Sequence, residues 1–119
     1  RDAQESRGLG DVYKRQNPRC ETIRRGMDII GSRWKLIIIE LLRGGTKRYG
    51  EIKRLMPDTS EKMLISELKS LTELGFIERK SYPEVPPKVE YSITEKGKGI
   101  YSVIDVISEW SLKHIDLED

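Results

Sequence analysis

Pro57 splits the most constraining stretch of this chain, YGEIKRLMPDTSEKMLISELKSLTELGF from Tyr49 to Phe76, into two helices that must meet at a tight turn. Proline lacks an N–H and its ring clashes with the preceding turn, so the face carrying Ile52, Leu55 and Met56 ends there. The spacing predicts a first helix over Glu51–Met56. Asp58, Thr59 and Ser60 then offer side-chain oxygens; Ser60 is the expected N-cap, and Glu61 suits the positive end of the next dipole. In the second helix Leu64, Leu68 and Leu71 recur at i, i+4 and i+7, Ile65 and Leu74 widen the stripe, and Gly75 is the expected stop. Its outward face is read as Lys62, Met63, Ser66, Glu67, Lys69 and Ser70. Such groups can meet phosphates and base edges in a major groove, and a merely solvated helix surface has the same chemistry.

The flanking sequence supplies a frame for this pair. Residues 1–16, RDAQESRGLGDVYKRQ, lack helical or alternating periodicity and read as a disordered or non-native leader, with a basic arm as the competing reading. After Asn17 and Pro18 a short helix is expected over about Cys20–Ile30, with Ile23, Met27 and Ile30 on one face. From Arg33, RWKLIIIELLRGG is apolar almost all round and belongs at the centre of a core. Its three isoleucines also suit a buried strand; Lys35, Glu40, Arg43 and the terminal glycines favour helix. Trp34 reads as a core anchor in preference to a base-stacking platform. Thr46–Tyr49 can form a short strand, FIERKSY and KVEYSIT read as two more, and EVPP turns between them, its prolines confined to a turn or edge. Thr94 caps a last helix expected to run to about His114, with Ile100, Val103, Ile104, Ile107 and Trp110 at helical spacing. That stripe fits either a two-fold partner or the chain's own central helix.

Composition bounds what such a frame can do. With 119 residues, 36% of them apolar, one small domain is expected, and a second copy would help complete its core. The chain is 35% charged, yet its net charge is only +2, so any electrostatic footprint must come from distribution. Arg43, Lys47, Arg48, Lys53 and Arg54 face Glu51 alone, whereas Asp105, Glu109, Asp116, Glu118 and Asp119 face Lys113. One end is therefore basic and the other acidic, as expected if the first meets a polyanion. One cysteine excludes an internal disulfide, no apolar run approaches a bilayer span, and no signal-peptide core is visible, so the default expectation is cytoplasmic. Phosphate-binding glycine patterns and metal-ligand spacings are absent, and neither cofactor nor enzymatic activity is expected.

Helix, turn, helix and β-hairpin is the order of a winged helix, in which the hairpin flanks the recognition helix. The residues go further: YPEVPPKVEYSITEKG at Tyr82–Gly97, with DIIGSRW at Asp28–Trp34, YGEIKRLMPDTSEKML at Tyr49–Leu64 and ELGFIER at Glu73–Arg79, resembles the HxlR-type transcriptional regulators, winged-helix relatives of the MarR group. The resemblance spans about Cys20–Trp110 and implies an α+β, mainly α, winged helix-turn-helix fold with N- and C-terminal dimerisation helices. It implies a homodimer on DNA, with Ser60, Lys62, Met63 and Ser66 toward the groove and Arg79 and Lys88 on the wing. It also implies that Ile23 and Met27 join Ile100, Val103, Ile104, Ile107 and Trp110 between protomers. Two departures stand out. Glu67 occupies a position where relatives often carry a basic or amide group, and the family's usual Cys-Pro is Cys20-Glu21. Several family members sense oxidants or electrophiles through the thiol equivalent to Cys20. Here Arg19 and Arg24 would favour the thiolate, Glu21 would oppose it, and a buried, inert cysteine is the competing reading.

The expectation is therefore a symmetric dimer on a pseudo-palindromic operator in double-stranded DNA, with Arg48, Lys53, Arg79 and Lys88 on phosphates and Lys62 and Ser66 contributing selectivity. No membrane contact is expected, and the sequence leaves any small effector open. The rival is a winged helix used as a protein-interaction module.

Overall fold

Asn17 opens the first helix, α1 (Pro18–Ile30): its side chain accepts the Arg19 N–H at 3.0 Å, and Pro18 occupies a first-turn position where no N–H is needed. The computed structural model describes residues 17–117, so the reading of residues 1–16 lies outside it. The chain divides into two compact units at Ser32–Arg33, and α1 belongs to the first. Within α1, Glu21 is gripped by Arg24 at 2.6 Å and Arg25 at 3.3 Å, while Ile23 and Met27 are exposed. Gly31 ends the helix, its N–H donating to Met27 O at 2.7 Å.

The second unit is built on α2 (Lys35–Arg43), a helix as expected, with Ile38, Ile39 and Leu42 buried. β1 (Lys47–Arg48) follows, then α3 (Tyr49–Leu55), which starts two residues earlier than its apolar spacing suggested because Glu51 accepts the Arg48 N–H at 3.0 Å. Past Pro57, Ser60 caps α4 (Glu61–Glu73) by accepting the Met63 N–H at 3.1 Å. Gly75 ends it at φ +83°, a conformation that favours glycine, with Phe76 N–H donating to Leu71 O and Gly75 N–H to Thr72 O, both at 3.0 Å. That cap turns the chain directly into β2 (Ile77–Tyr82), which pairs antiparallel with β3 (Lys88–Ile93), and β1 pairs with the far side of β3. The core of this unit joins Ile38 and Ile39 to Ile52, Leu64, Leu68, Leu71, Ile77 and Tyr91.

The single last helix expected from Thr94 is corrected to two, α5 (Glu95–Lys98) and α6 (Tyr101–His114). Gly97 and Gly99 weaken the helix there, and the bonds Gly99 N–H to Lys96 O and Ile100 N–H to Gly97 O tighten the chain into a turn. The turn drives Ile100 into the protomer's own core, 7% exposed, which takes it off any surface that could join two protomers. Arg43 anchors α6 to α2 through Asp105 at 2.7 and 3.1 Å, with its guanidinium 4.4 Å from the Tyr101 ring centroid. That pairing holds the Asp105 carboxyl below its ordinary range. Beyond it α6 leaves Val106, Ile107, Trp110 and Leu112 exposed.

The turn between α3 and α4 contains an unusual group. Thr59 is 2% exposed and its hydroxyl has no hydrogen-bond partner among the described residues, while its carbonyl accepts from Lys53 Nζ at 2.7 Å. Thr59→Val removes the desolvated hydroxyl and keeps the shape, so it is expected to be neutral or to stabilise by up to about 1 kcal/mol. The urea midpoint measures it; a clear loss would mean that the hydroxyl has a partner after all.

Candidate nucleic-acid interface

Helix geometry decides which side of α4 faces out. Lys62, Ser66, Lys69 and Glu73 follow one another at three- and four-residue steps and are all exposed, with Met63 and Ile65 beside them. Glu67 is corrected: it lies three residues after Leu64 and four before Leu71, on the buried side, and is only 8% exposed. Its carboxylate accepts from Lys35 Nζ at 2.5 Å, so the expected outward acid is an internal link between α4 and α2. Ile65, expected in the core, is instead exposed, because it sits about 100° around the helix from Leu64.

The fixed partners of the cations sort them further. Lys53 is committed to the turn through Thr59 O, Arg43 to Asp105 and Glu40, and Lys96 to Leu74 O at 2.8 Å. Lys88 is half-buried on the outer face of the wing, 4.4 Å from the Tyr82 ring centroid and 3.4 Å from Glu90. The Tyr82 hydroxyl donates to Glu90 at 3.0 Å and, with Lys88 nearby, holds that carboxyl below its usual range. Of the other cations among the described residues, Lys47, Arg48, Arg54, Lys62, Lys69, Arg79 and Lys80 have no carboxylate partner within 4.0 Å, and outside this run neither do Arg19 and Arg33. The first seven lie on the segment from β1 to the end of β2.

A trough of about 480 Å³ is lined by Arg48, Tyr49 and Gly50, by Ile65 of α4, and by Arg79, Pro87, Lys88, Val89 and Tyr91 of the hairpin. Burial pushes the Tyr49 hydroxyl up in pKa, with Glu61 and Tyr91 adding to the effect, so it is a neutral phenol at pH 7. Sequence reading missed Tyr49 and Ile65 as part of this surface; the offset of Ile65 from the leucine repeat was the available signal. Cys20 is half-buried on α1, where Glu21 and Asp28 pair with Arg24. The same pairing with Arg24 and Arg25 keeps the Glu21 carboxyl below its ordinary range. Among the described residues no cluster of His, Cys, Asp or Glu could hold a metal ion, and no helix is long and apolar enough to cross a membrane.

A capped helix pair, a three-stranded sheet ending in a hairpin, and unpaired cations along the second helix define a winged helix-turn-helix protein. More specifically, residues 29–119 match the HxlR-like helix-turn-helix family, and the chain belongs to it. Its relatives include the uncharacterised HTH-type transcriptional regulator YtcD of Bacillus subtilis strain 168, 41% identical over 76% of this chain and 71% of that one. Among solved structures it is similar to a regulator assigned to the MarR family from Porphyromonas gingivalis W83, with 45% identity, coverage of 78% and 91%, and a TM-score of 0.74. It is also similar to the redox regulator HypR in its oxidised form, with 34% identity, coverage of 81% and 99%, and a TM-score of 0.74. The family is one of transcriptional regulators, not enzymes.

Proposed function

We propose that this chain regulates transcription as a homodimer that binds a pseudo-palindromic operator, placing α4 in the major groove and the β2–β3 wing on the flanking backbone. The observation that carries the reading is the concentration of cations without carboxylate partners from β1 to the end of β2, on and beside the exposed face of α4. Cations already neutralised within a fold add little to phosphate binding, whereas free ones release counterions when they meet it. Lys62, Met63 and Ser66 face the bases, and Arg48 and Arg79 the phosphates; Ser60 holds the helix start. Lys88 and Lys53 are weaker contacts, Lys88 because Glu90 lies 3.4 Å from its ammonium and Lys53 because its ammonium is spent on the turn.

Dimerisation through α6, with α1 contributing Ile23 and Met27, fits the bare apolar side chains there: Ile107 is 46% and Trp110 55% exposed, with Val103 and Ile104 half-buried beside them. An apolar groove of about 240 Å³ between Ile37, Leu41, Ile104 and Ile107 adds to that face. Oxidant response through Cys20 is the finer part of the proposal. It draws on similarity to HypR, and the chain's single cysteine would have to pair across the dimer or with a small thiol.

Titrating mixed genomic fragments at low and moderate salt tests the DNA-binding reading, because an interaction module would not retain tight, selective binding. Arg79→Ala is expected to reduce the slope of log K against log salt by about 0.9, the contribution of one phosphate contact, while Lys53→Ala leaves it nearly unchanged. Equal slopes for wild type and Arg79→Ala would take Arg79 out of the interface.

A further inference from the structure

α4 carries one side chain that neither the core nor the cations account for. Leu64, Leu68 and Leu71 already fill the buried side, and Ile65, 52% exposed, stands off it among Lys62, Ser66 and Lys69. Met63, the other bare apolar group of α4, lies about 160° round the helix, on the opposite flank. The flank that holds Ile65 faces the hairpin. Arg79 pairs with Tyr91 across β2 and β3, so their side chains share one face of the sheet, and Tyr91 is buried in the core to which α4 contributes. Ile65, Arg79 and Tyr91 line both troughs between α4 and the hairpin, of about 480 and 390 Å³. Ile65 is therefore part of the α4 wall of a cleft whose hairpin wall carries Arg79.

We propose that Ile65 reads the C5 methyl group of one thymine in each half-site, a base contact that rests on the DNA-binding reading. In the major groove the pyrimidine C5 position lies at the edge of the groove floor, close to the backbone of its own strand. The hydrogen-bonding groups of the base pairs lie nearer the middle. A helix flank beside a phosphate-gripping arginine is therefore placed over C5 and not over those central groups. Isoleucine has no hydrogen bond to offer there, and the thymine methyl is the one apolar group that a base pair presents in this groove. Cytosine puts a hydrogen in its place and an amino donor beside it, which the isoleucine would desolvate without replacing its bond to water. Lys62 and Ser66 remain the polar readers, so each half-site combines hydrogen-bonded positions with one position read by apolar contact alone.

The test starts from duplexes that the full chain selects from random DNA. Each thymine of one half-site is replaced in turn by deoxyuridine, which pairs identically and lacks only the methyl, and Kd is followed by fluorescence anisotropy at fixed salt. One replacement is expected to weaken wild-type binding about fourfold, what burying one CH₂-sized group is worth. The same replacement should leave Ile65→Ala unaffected, and 5-methylcytosine at that position should bind wild type more tightly than cytosine does. Because Ile65 is exposed and alanine is the stronger helix former, the variant is expected to fold, and its urea midpoint checks this. Deoxyuridine tolerated by wild type at every position, or a penalty that persists in Ile65→Ala, overturns the contact. A general weakening of Ile65→Ala with the penalty intact is what a purely structural isoleucine gives, and it overturns the contact too. Selective binding with no methyl dependence removes this contact and leaves the proposed function standing, whereas a chain that selects no duplex at all removes both.

Discussion

Gly97→Ala is expected to destabilise the protein by about 3 kcal/mol, among the costliest single-atom changes available in this fold. A Cβ at Gly97 would lie 2.1 Å from Phe76 O, 3.0 Å from Phe76 C and 3.1 Å from Ile93 Cγ2. The first distance is far inside any tolerated contact, and the obstacle is backbone that cannot swing away. Phe76 O accepts the Thr94 N–H at 3.2 Å and Phe76 N–H closes the α4 cap, so moving it breaks both. The same joint holds the Thr94 hydroxyl on Gly75 O at 2.6 Å and Lys96 Nζ on Leu74 O at 2.8 Å. Four short segments thus converge where α4 hands over to the wing, and overpacking there costs more than the usual 1–3 kcal/mol range suggests at its lower end. With an m-value of roughly 1.5 kcal/mol/M, the urea midpoint should fall by about 2 M. Gly99→Ala is the control: its Cβ would meet only Lys96 O at 3.3 Å, and the midpoint should barely move. An unchanged midpoint for Gly97→Ala would mean that α5 does not pack on Phe76 as described.

The parts of this fold that were legible in the sequence are those set by neighbours along the chain. Ser60 caps α4, Gly75 ends it, and the strands over Ile77–Tyr82 and Lys88–Ile93 fall where alternation and the prolines placed them. Each depends on bonds within a few residues, so local pattern carries the information. What was not legible depends on partners far apart. Arg43 was counted in a basic cluster, but its guanidinium is occupied by Asp105, 62 residues later, which no spacing rule reveals. The turn between α5 and α6, weakened locally by Gly97 and Gly99, is held in place by the packing of Gly97 on Phe76, again a distant contact. Two misreadings had a local signal. Glu67 is in step with Leu64 and Leu71 and Ile65 is not, but weight was given to polarity over phase, placing the carboxylate outside and the isoleucine inside. The helix and the hairpin were accordingly legible in the sequence, while the apolar side chains exposed between them were not.

Glu67→Leu is the second large effect expected, and it also decides whether position 67 reads DNA. The side chains of Lys35 and Glu67 are only 12% and 10% exposed, and the replacement strands the Lys35 ammonium in a low-dielectric setting near the start of α2. A cation there already opposes the helix dipole, and Trp34 provides no side-chain cap to offset it. Breaking a buried pair from one side costs about 3 kcal/mol, whereas replacing both partners with apolar groups of similar volume is often close to neutral. Adding Lys35→Met to Glu67→Leu should therefore recover most of the lost stability, read as urea midpoints of the wild type, the single variant and the double variant. No recovery would mean that the cost of Glu67→Leu does not come from stranding Lys35. The recovered double variant then permits a functional comparison free of misfolding. Under the proposed function, a Glu67 that ties α4 to α2 touches no base, so fragments selected from random DNA by wild type and by the double variant should share one set of base preferences. A change confined to one or two positions would return Glu67 to the major groove, where a carboxylate accepts from a cytosine amino group. Uniformly weaker binding with unchanged preferences is what a positioning link between α2 and the recognition helix predicts.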